Sequence, residues 1–309
     1  MVRSMSKITI ILYFSQVYFI YICEVTKAYR TMHRKPIVAL IYDFDGTLSP
    51  GNMQEFGFIQ AIGKTPAEFW TLSDGIARGQ DASNITAYMK MMLDESKKKG
   101  IVLKKQTLRS FGSKIKFYDG VRGWFGAVNS YGDSIGLKIE HYINSSGLKE
   151  IIEGSPIAKE FKHIYASSYI YDDKGEAEWP GIAVDYTAKT QFIFKINKGI
   201  FSARDSVRVN DHVSEDKKRI PFQNMIYFGD GDTDVPCMKI VNMFGGHAVA
   251  VYNPQDEKRK KEAEKLQRQG RANFVASAYY GRDGRMFRMV CAILDKIKAD
   301  YELNLFARH

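Results

Sequence analysis

Hydrophobic positions along the chain fall into two kinds of run. Short, largely apolar runs occur at residues 37–44 (IVALIYDF), 138–145 (KIEHYINS), 225–230 (MIYFGD), 248–253 (AVAVYN) and 273–278 (NFVASA). Continuous rather than alternating apolar character predicts strands buried on both faces, as in a parallel sheet. Around the later runs lie segments of helical character at 235–244, 257–269 and 285–298. Strands alternating with helices predict an α/β fold built on a doubly wound, mostly parallel sheet.

Residues 49–137 carry a different pattern. Thr65-Pro66-Ala67-Glu68 combines a capping box with proline at the first helical position, a helix start. Ile85, Tyr88, Met89 and Met92 then recur at i, i+3, i+4 and i+7, which predicts an amphipathic helix with its apolar stripe in the core. Residues 104–117 and 121–131 read as helical too, with no strand pattern between. The expected organisation is a core of residues 32–48 and 138–309, interrupted by an all-helical insertion at 49–137. Residues 164–171 and 182–187 flank a turn-rich stretch and predict a hairpin.

The segment before the first strand stands apart. Residues 8–23 (ITIILYFSQVYFIYIC) are apolar and follow Arg3 and Lys7, the order of a signal peptide's first two regions. At about 16 residues the run is short for a spanning helix, which needs roughly 20. A start of translation at Met32 is the third reading, so residues 1–31 form an extension that is a mis-assigned start, a signal or an anchor. The expected location is cytoplasmic, with export or membrane attachment through residues 8–23 as the alternative.

Composition narrows the class. Hydrophobic residues at 45% and charged residues at 26% are ordinary for a globular chain and exclude a disordered one. A formal charge of +10 raises the question of a polyanionic partner. The densest basic stretch, residues 257–271, places Glu257 four before Lys261 and Glu264 four before Arg268, the order of a solvated helix face. No nucleic-acid-binding signature accompanies it, so no nucleic-acid partner is expected. Cys23, Cys237 and Cys291, and likewise the histidines, lack the spacing of a zinc site.

Candidate chemistry sits at strand ends. Asp43-Phe44-Asp45-Gly46-Thr47 closes the first strand, at the edge where open α/β sheets bind ligands. Two carboxylates at i and i+2 can converge on one phosphorus as the chain turns. Asp43 then suits a nucleophile and Asp45 a general acid and base, while Thr47 can donate to an active-site oxygen. Gly229-Asp230-Gly231-Asp232-Thr233-Asp234 ends a second strand. Two acidic strand ends in one sheet repel unless a cation joins them, and Mg²⁺ takes oxygen ligands. Asp230 and Asp43, with the carbonyl of Asp45, are the expected direct ligands. Asp234 is expected to orient them from behind, and Asp232 to cap the next helix. Ser145 and Ser146, in Asn144-Ser145-Ser146-Gly147, close a third strand before a helix from Leu148, and suit a phosphate oxygen. Lys189, ahead of an apolar helix, is the expected cationic partner, with Lys195 and Lys198 as alternatives.

These four stretches, in this order, resemble the haloacid dehalogenase superfamily: DxDGT at 43–47, the serine at Ser145, the lysine at Lys189 and GDGxxD at 229–234. The resemblance runs over roughly residues 37–294 and is similar to phosphoserine phosphatase-like members. It implies a Rossmann-like core with a helical cap at 49–137 and a Mg²⁺-dependent phosphatase acting on a small phosphorylated metabolite through an aspartyl-phosphate. Two departures stand out. Thr233 occupies a position where the family often has asparagine, and Lys189 lies further ahead of the acidic motif than the family leads one to expect, the excess falling in residues 204–222. A phosphomutase or phosphotransferase of the same fold, or a non-catalytic phosphate-metabolite binder, are the competing functions.

Overall fold

The computed structural model describes residues 35–205 and 207–307. The unit considered below begins at Ile37, and the N-terminal extension read from the sequence lies outside the described residues. Among the described residues, no helix is long and apolar enough to cross a membrane.

Seven strands form one sheet: β1 (Ile37–Tyr42), β2 (Lys138–Leu148), β3 (Phe161–Tyr171), β4 (Ala177–Ile182), β5 (Met225–Gly229), β6 (His247–Tyr252) and β7 (Phe274–Ser277). Their spatial order is β4-β3-β2-β1-β5-β6-β7. All neighbours pair parallel except β3 and β4, which form an antiparallel hairpin at one edge. The chain winds outward from β1 through β2 and β3, then returns to the other side of β1 at β5. The reversal places a topological switch point between β1 and β5, and their carboxyl ends flank the crevice where such sheets bind ligands.

β1 is buried throughout, as its unbroken apolar run predicts. Because successive side chains alternate between faces, Val38, Leu40 and Tyr42 join one core and Ile37, Ala39 and Ile41 the other. The first core holds the helix Val121–Ser134, the C-terminal helix Arg285–Phe306 and the stripe Tyr88, Met89 and Met92. The second holds the helix Ala188–Lys198 and the helix Val235–Met243. Polar groups inside the first core are chained together. Trp124 Nε1 donates to the Tyr42 hydroxyl at 2.8 Å, which lies 3.0 Å from His141 Nδ1, while His141 Nε2 meets Asn129 Oδ1 at 3.0 Å. Burial pushes the His141 imidazole down to about 3, so the chain is held by a neutral ring.

Helices Pro66–Gln80, Asn84–Lys98, Lys105–Gly112 and Val121–Ser134 fill the interval between β1 and β2. The capping box is present: Thr65 Oγ1 accepts from the Glu68 amide and Glu68 accepts from the Thr65 amide. The basic helix Glu257–Arg268 buries only Ala263, a solvated face as expected. Of its two anticipated ion pairs, Arg268–Glu264 forms at 3.8 Å, but Glu257 pairs with Lys260 instead of Lys261.

Three local expectations need correction. The hairpin's second strand is 177–182, not 182–187. The Asp172 carboxylate accepts from the amides of Lys174 and Glu176, which closes the turn early. β2 runs through the serine motif to Leu148, and a five-residue helix follows only at Lys149. Asp232 makes no capping bond; the Asp234 carboxylate accepts from the Gly231 amide at 3.3 Å and takes that place.

Candidate active site

β1 delivers Asp43 to the switch point, its amide still donating to Phe228 O of β5 at 2.9 Å. The chain then leaves the pleat in a tight turn: Leu48 and Ser49 amides donate to Phe44 O, and Gly46 donates to Ser49 O. Gly46 sits at φ +77°, and a Cβ there would stand 2.1 Å from Asp230 Oδ2. Only glycine lets this turn lie against the acidic end of β5.

The two acidic motifs therefore meet. Asp43, Asp230 and Asp234 each offer one carboxylate oxygen, and the three oxygens lie within 4.8 Å of one another. Lys189 enters from the first turn of its helix, fully buried, with Nζ 2.9 Å from Asp43 Oδ1 and 2.7 Å from Asp234 Oδ1. Tyr227 on β5 donates to the same Asp234 oxygen at 2.7 Å. Burial acts to lower the Lys189 ammonium, but Asp234 and Asp43 outweigh it and hold it above its ordinary value.

The carboxylates differ in their surroundings. Burial raises Asp43, Lys189 pulls it back, and it stands at about 6. Burial and then the Asp43 charge hold Asp45 well above the carboxylate range, against the Met53 amide that donates to its Oδ1 at 2.9 Å. Asp230 is raised by burial and then by Asp43 and Asp234. No ammonium or guanidinium lies within ion-pair distance of Asp230 among the described residues, unlike Asp43 and Asp234. Three carboxylate oxygens around one point, with a single lysine bonded to two of them, fit an oxygen-seeking divalent cation.

The other anticipated groups gather at the same edge. Thr47 Oγ1 and Ser146 Oγ are buried without a hydrogen-bond partner, while Thr47 O accepts from Tyr280 at 2.8 Å. Ser145 Oγ accepts from the Gly147 amide at 3.0 Å. A Cβ on Gly147 would stand 3.1 Å from Asp45 Oδ2, so the serine turn lies beside Asp45. Lys195 and Lys198 are elsewhere: they bind the carbonyls of Ser202 and Ala203, and of Val209 and Asp211. Nine residues of helix carry Lys198 about 13 Å from Lys189. Both lysines hold the long polar connection that separates Lys189 from the acidic motif.

No protein-family model matches the chain. An uncharacterized protein of Borreliella burgdorferi is 31% identical over 284 residues, covering 83% of this chain and 96% of that protein, and the two belong to one family. Among solved structures, a substrate-bound phosphoserine phosphatase is similar with a TM-score of 0.51 at 14% identity, over 81% of this chain and 95% of that one. A probable phosphoserine phosphatase from Vibrio cholerae gives 0.53 at 12% identity, over 87% and 67%. The chain has the haloacid dehalogenase fold.

Within this haloacid dehalogenase fold, sequence reasoning missed four groups that shape the site. Tyr227, Tyr280 and the Met53 amide hold Asp234, Thr47 and Asp45, and Tyr88 donates to Ser146 O at 2.7 Å. Tyr280 and Tyr88 are remote in sequence from what they hold and the Met53 contact is made by backbone, while Tyr227, on the strand just ahead of the acidic motif, reads in the sequence only as one more position of an apolar run. In the helical insertion, Trp124 is fully buried and serves the core, Arg109 pairs with Glu153 and Lys90 with Asp94. Trp70 is part-buried and donates to Glu55.

Proposed function

We propose that the protein is a Mg²⁺-dependent phosphatase that hydrolyses a small phosphorylated metabolite through an aspartyl-phosphate on Asp43. The observation that carries this reading is the buried Lys189 ammonium bound to both Asp43 and Asp234, with Asp230 brought to the same point across the switch between β1 and β5. A single lysine leaves the cluster with surplus negative charge, which suits a site that gathers a cation and a phosphoryl group.

The division of labour follows from the surroundings of each group. Lys189 bonds one oxygen of Asp43, which leaves the other to attack phosphorus in line with the leaving oxygen. Asp45, whose carboxyl burial and the Asp43 charge hold well above the carboxylate range, gives its proton to that oxygen as the ester bond breaks. The Asp45 carboxylate then takes a proton from water, which attacks the aspartyl-phosphate and releases inorganic phosphate and Asp43. Thr47, Ser145 and Ser146 offer hydroxyls to the phosphoryl oxygens, and Lys189 balances their charge. Asp43, Asp230 and the carbonyl of Asp45 would hold Mg²⁺, with Asp234 supporting from behind. When bound, the ion neutralises charge on the phosphoryl group and the carboxylates.

The helical insertion between β1 and β2 serves in this reading as the cap that supplies contacts to the rest of the substrate. Its last helix, Val121–Ser134, packs on β2 and on the C-terminal helix, and so belongs with the core layer. Hydrolysis of p-nitrophenyl phosphate tests the function. Turnover should require added Mg²⁺ and be absent in Asp43→Asn, whose amide cannot attack. Turnover in EDTA equal to that in Mg²⁺, or near wild-type rates from Asp43→Asn, would sink it. A panel of phosphorylated metabolites against the same enzyme then identifies the substrate.

A further inference from the structure

The backbone at Ser146–Gly147 is held in an unusual way. After an earlier register shift at His141/Tyr142, β2 pairs with β3 regularly from Tyr142↔His163 to Ser145↔Ala166, and pairing resumes only at Leu148↔Ser167. The intervening peptide sits in a bulge, where the ladder does not fix its orientation. Glycine at 147 lets the Met53 side chain pack against the bulge, since a Cβ there would stand 2.0 Å from Met53 Cε and force that side chain to move. Glycine also removes the steric barrier that keeps a peptide plane from turning over. A peptide that the β-ladder does not orient therefore lies beside Asp45, at the site proposed to receive a phosphate.

Two hydroxyls converge on it. Tyr88, from the helix Asn84–Lys98, donates to Ser146 O at 2.7 Å, and Ser167 Oγ on β3 donates to the same oxygen at 3.0 Å. Ser167 is itself oriented by the Val184 amide at 3.0 Å, and the Tyr88 ring packs edge-on against Trp70. In a trans peptide, the carbonyl of Ser146 and the N–H of Gly147 point in opposite directions. Holding the oxygen toward Tyr88 and Ser167 turns the N–H the other way, where it donates to Ser145 Oγ. A flipped peptide would turn its partially negative oxygen toward Ser145 and oppose an incoming phosphate.

We infer that Tyr88 is a positioning residue: together with Ser167 it locks the Ser146–Gly147 peptide in the orientation that accepts phosphate. The helical insertion thereby controls the phosphoryl end of the site, as well as any contacts it makes with the remainder of the substrate. This inference rests on the phosphatase reading. Its consequence is specific. Releasing the lock lowers the fraction of molecules with the competent peptide, which weakens apparent affinity by that fraction. Molecules that do bind phosphate have the correct peptide, so turnover at saturation is preserved.

Tyr88→Phe keeps the ring and removes only the donor. With Mg²⁺ present, the inhibition constant for inorganic phosphate against p-nitrophenyl phosphate hydrolysis should rise about threefold to tenfold, the range of one neutral hydrogen bond. The kcat should stay within about twofold. Tyr88→Phe/Ser167→Ala should lose more than the two single variants combined, because each remaining donor holds the peptide alone. Tyr169→Phe is the control. It removes the bond from Tyr169 to Met89 O on the same helix, at 2.8 Å, without touching Ser146, so it should shift melting and leave phosphate inhibition unchanged. Phosphate inhibition within twofold of wild type in Tyr88→Phe and in the double variant overturns the inference, as does an equal effect from Tyr169→Phe. If the wild-type protein neither turns over p-nitrophenyl phosphate nor binds phosphate by calorimetry, the phosphatase reading itself fails, and this inference with it.

Discussion

Asp230→Asn should make the metal-free protein more stable while removing its cation site. Asp230 shares a 4.8 Å cluster with Asp43 and Asp234, and Lys189 bonds those two but not Asp230. Seen from Asp230, two negative charges and one positive leave a net repulsion of about one unit charge. At 4.8 Å and an effective dielectric constant of 20, that is about 3 kcal/mol. Asp230 is partly exposed, and its raised pKa lets it take up a proton, so about 1–2 kcal/mol is a fair expectation. Asparagine has the same shape and no charge. In EDTA at pH 7.5 the variant should melt about 2–8 °C above wild type. Titrating Mg²⁺ should then raise only the wild type, by about 2.7 kcal/mol at a hundredfold excess over its dissociation constant. The sign with pH follows from a folded pKa above the unfolded one. The destabilisation is absent below the ordinary carboxylate pKa and grows as pH rises through the elevated value, so the variant's advantage should shrink in acid. A variant that melts below wild type in EDTA, or that gains as much from Mg²⁺, refutes the reasoning.

Three further outcomes can be checked. Asp45→Asn should bind phosphate but turn over about 10²–10⁴-fold more slowly; rates within twofold of wild type would make Asp45 structural. Gly46→Ala should lose Mg²⁺ stabilisation and activity together, because its Cβ would stand 2.1 Å from Asp230 Oδ2 at a φ of +77°; a Mg²⁺ titration of its melting temperature that matches wild type contradicts the tight approach. His141, lowered by burial to about 3, should make folding acid-sensitive. Between pH 6.5 and 3 the unfolded chain takes up the proton first, so stability falls by up to about 1.4 kcal/mol per pH unit. His141→Gln should show a flatter fall in denaturant unfolding over pH 6.5–4, and equal slopes would exclude the histidine as the cause.

The sequence by itself determined what depends on neighbours along the chain. Continuous apolar runs announced the core strands, and the acidic residues closing β1 and β5 announced the site, because strand ends in a parallel sheet are where side chains leave the pleat. The capping box at Thr65 and the apolar stripe at Tyr88, Met89 and Met92 were legible for the same reason: each is a pattern within a few residues. What required long-range contact was not. Lys189, Lys195 and Lys198 share one helix, and only its docking on the sheet decides that the first turn reaches Asp43 while the later turns hold a loop. Asp234 rather than Asp232 closes its turn: Lys189, from a distant helix, holds its Oδ1 beside Tyr227 of the preceding strand, and its Oδ2 accepts from the Gly231 amide. The bulge at Ser146–Gly147 was read as a simple strand end, because the groups that shape it, Met53, Tyr88 and Ser167, come from three other segments. Local periodicity reports which face of an element is apolar. It carries no information about which distant side chain will fill the space beside it, and most of this site is made by such neighbours.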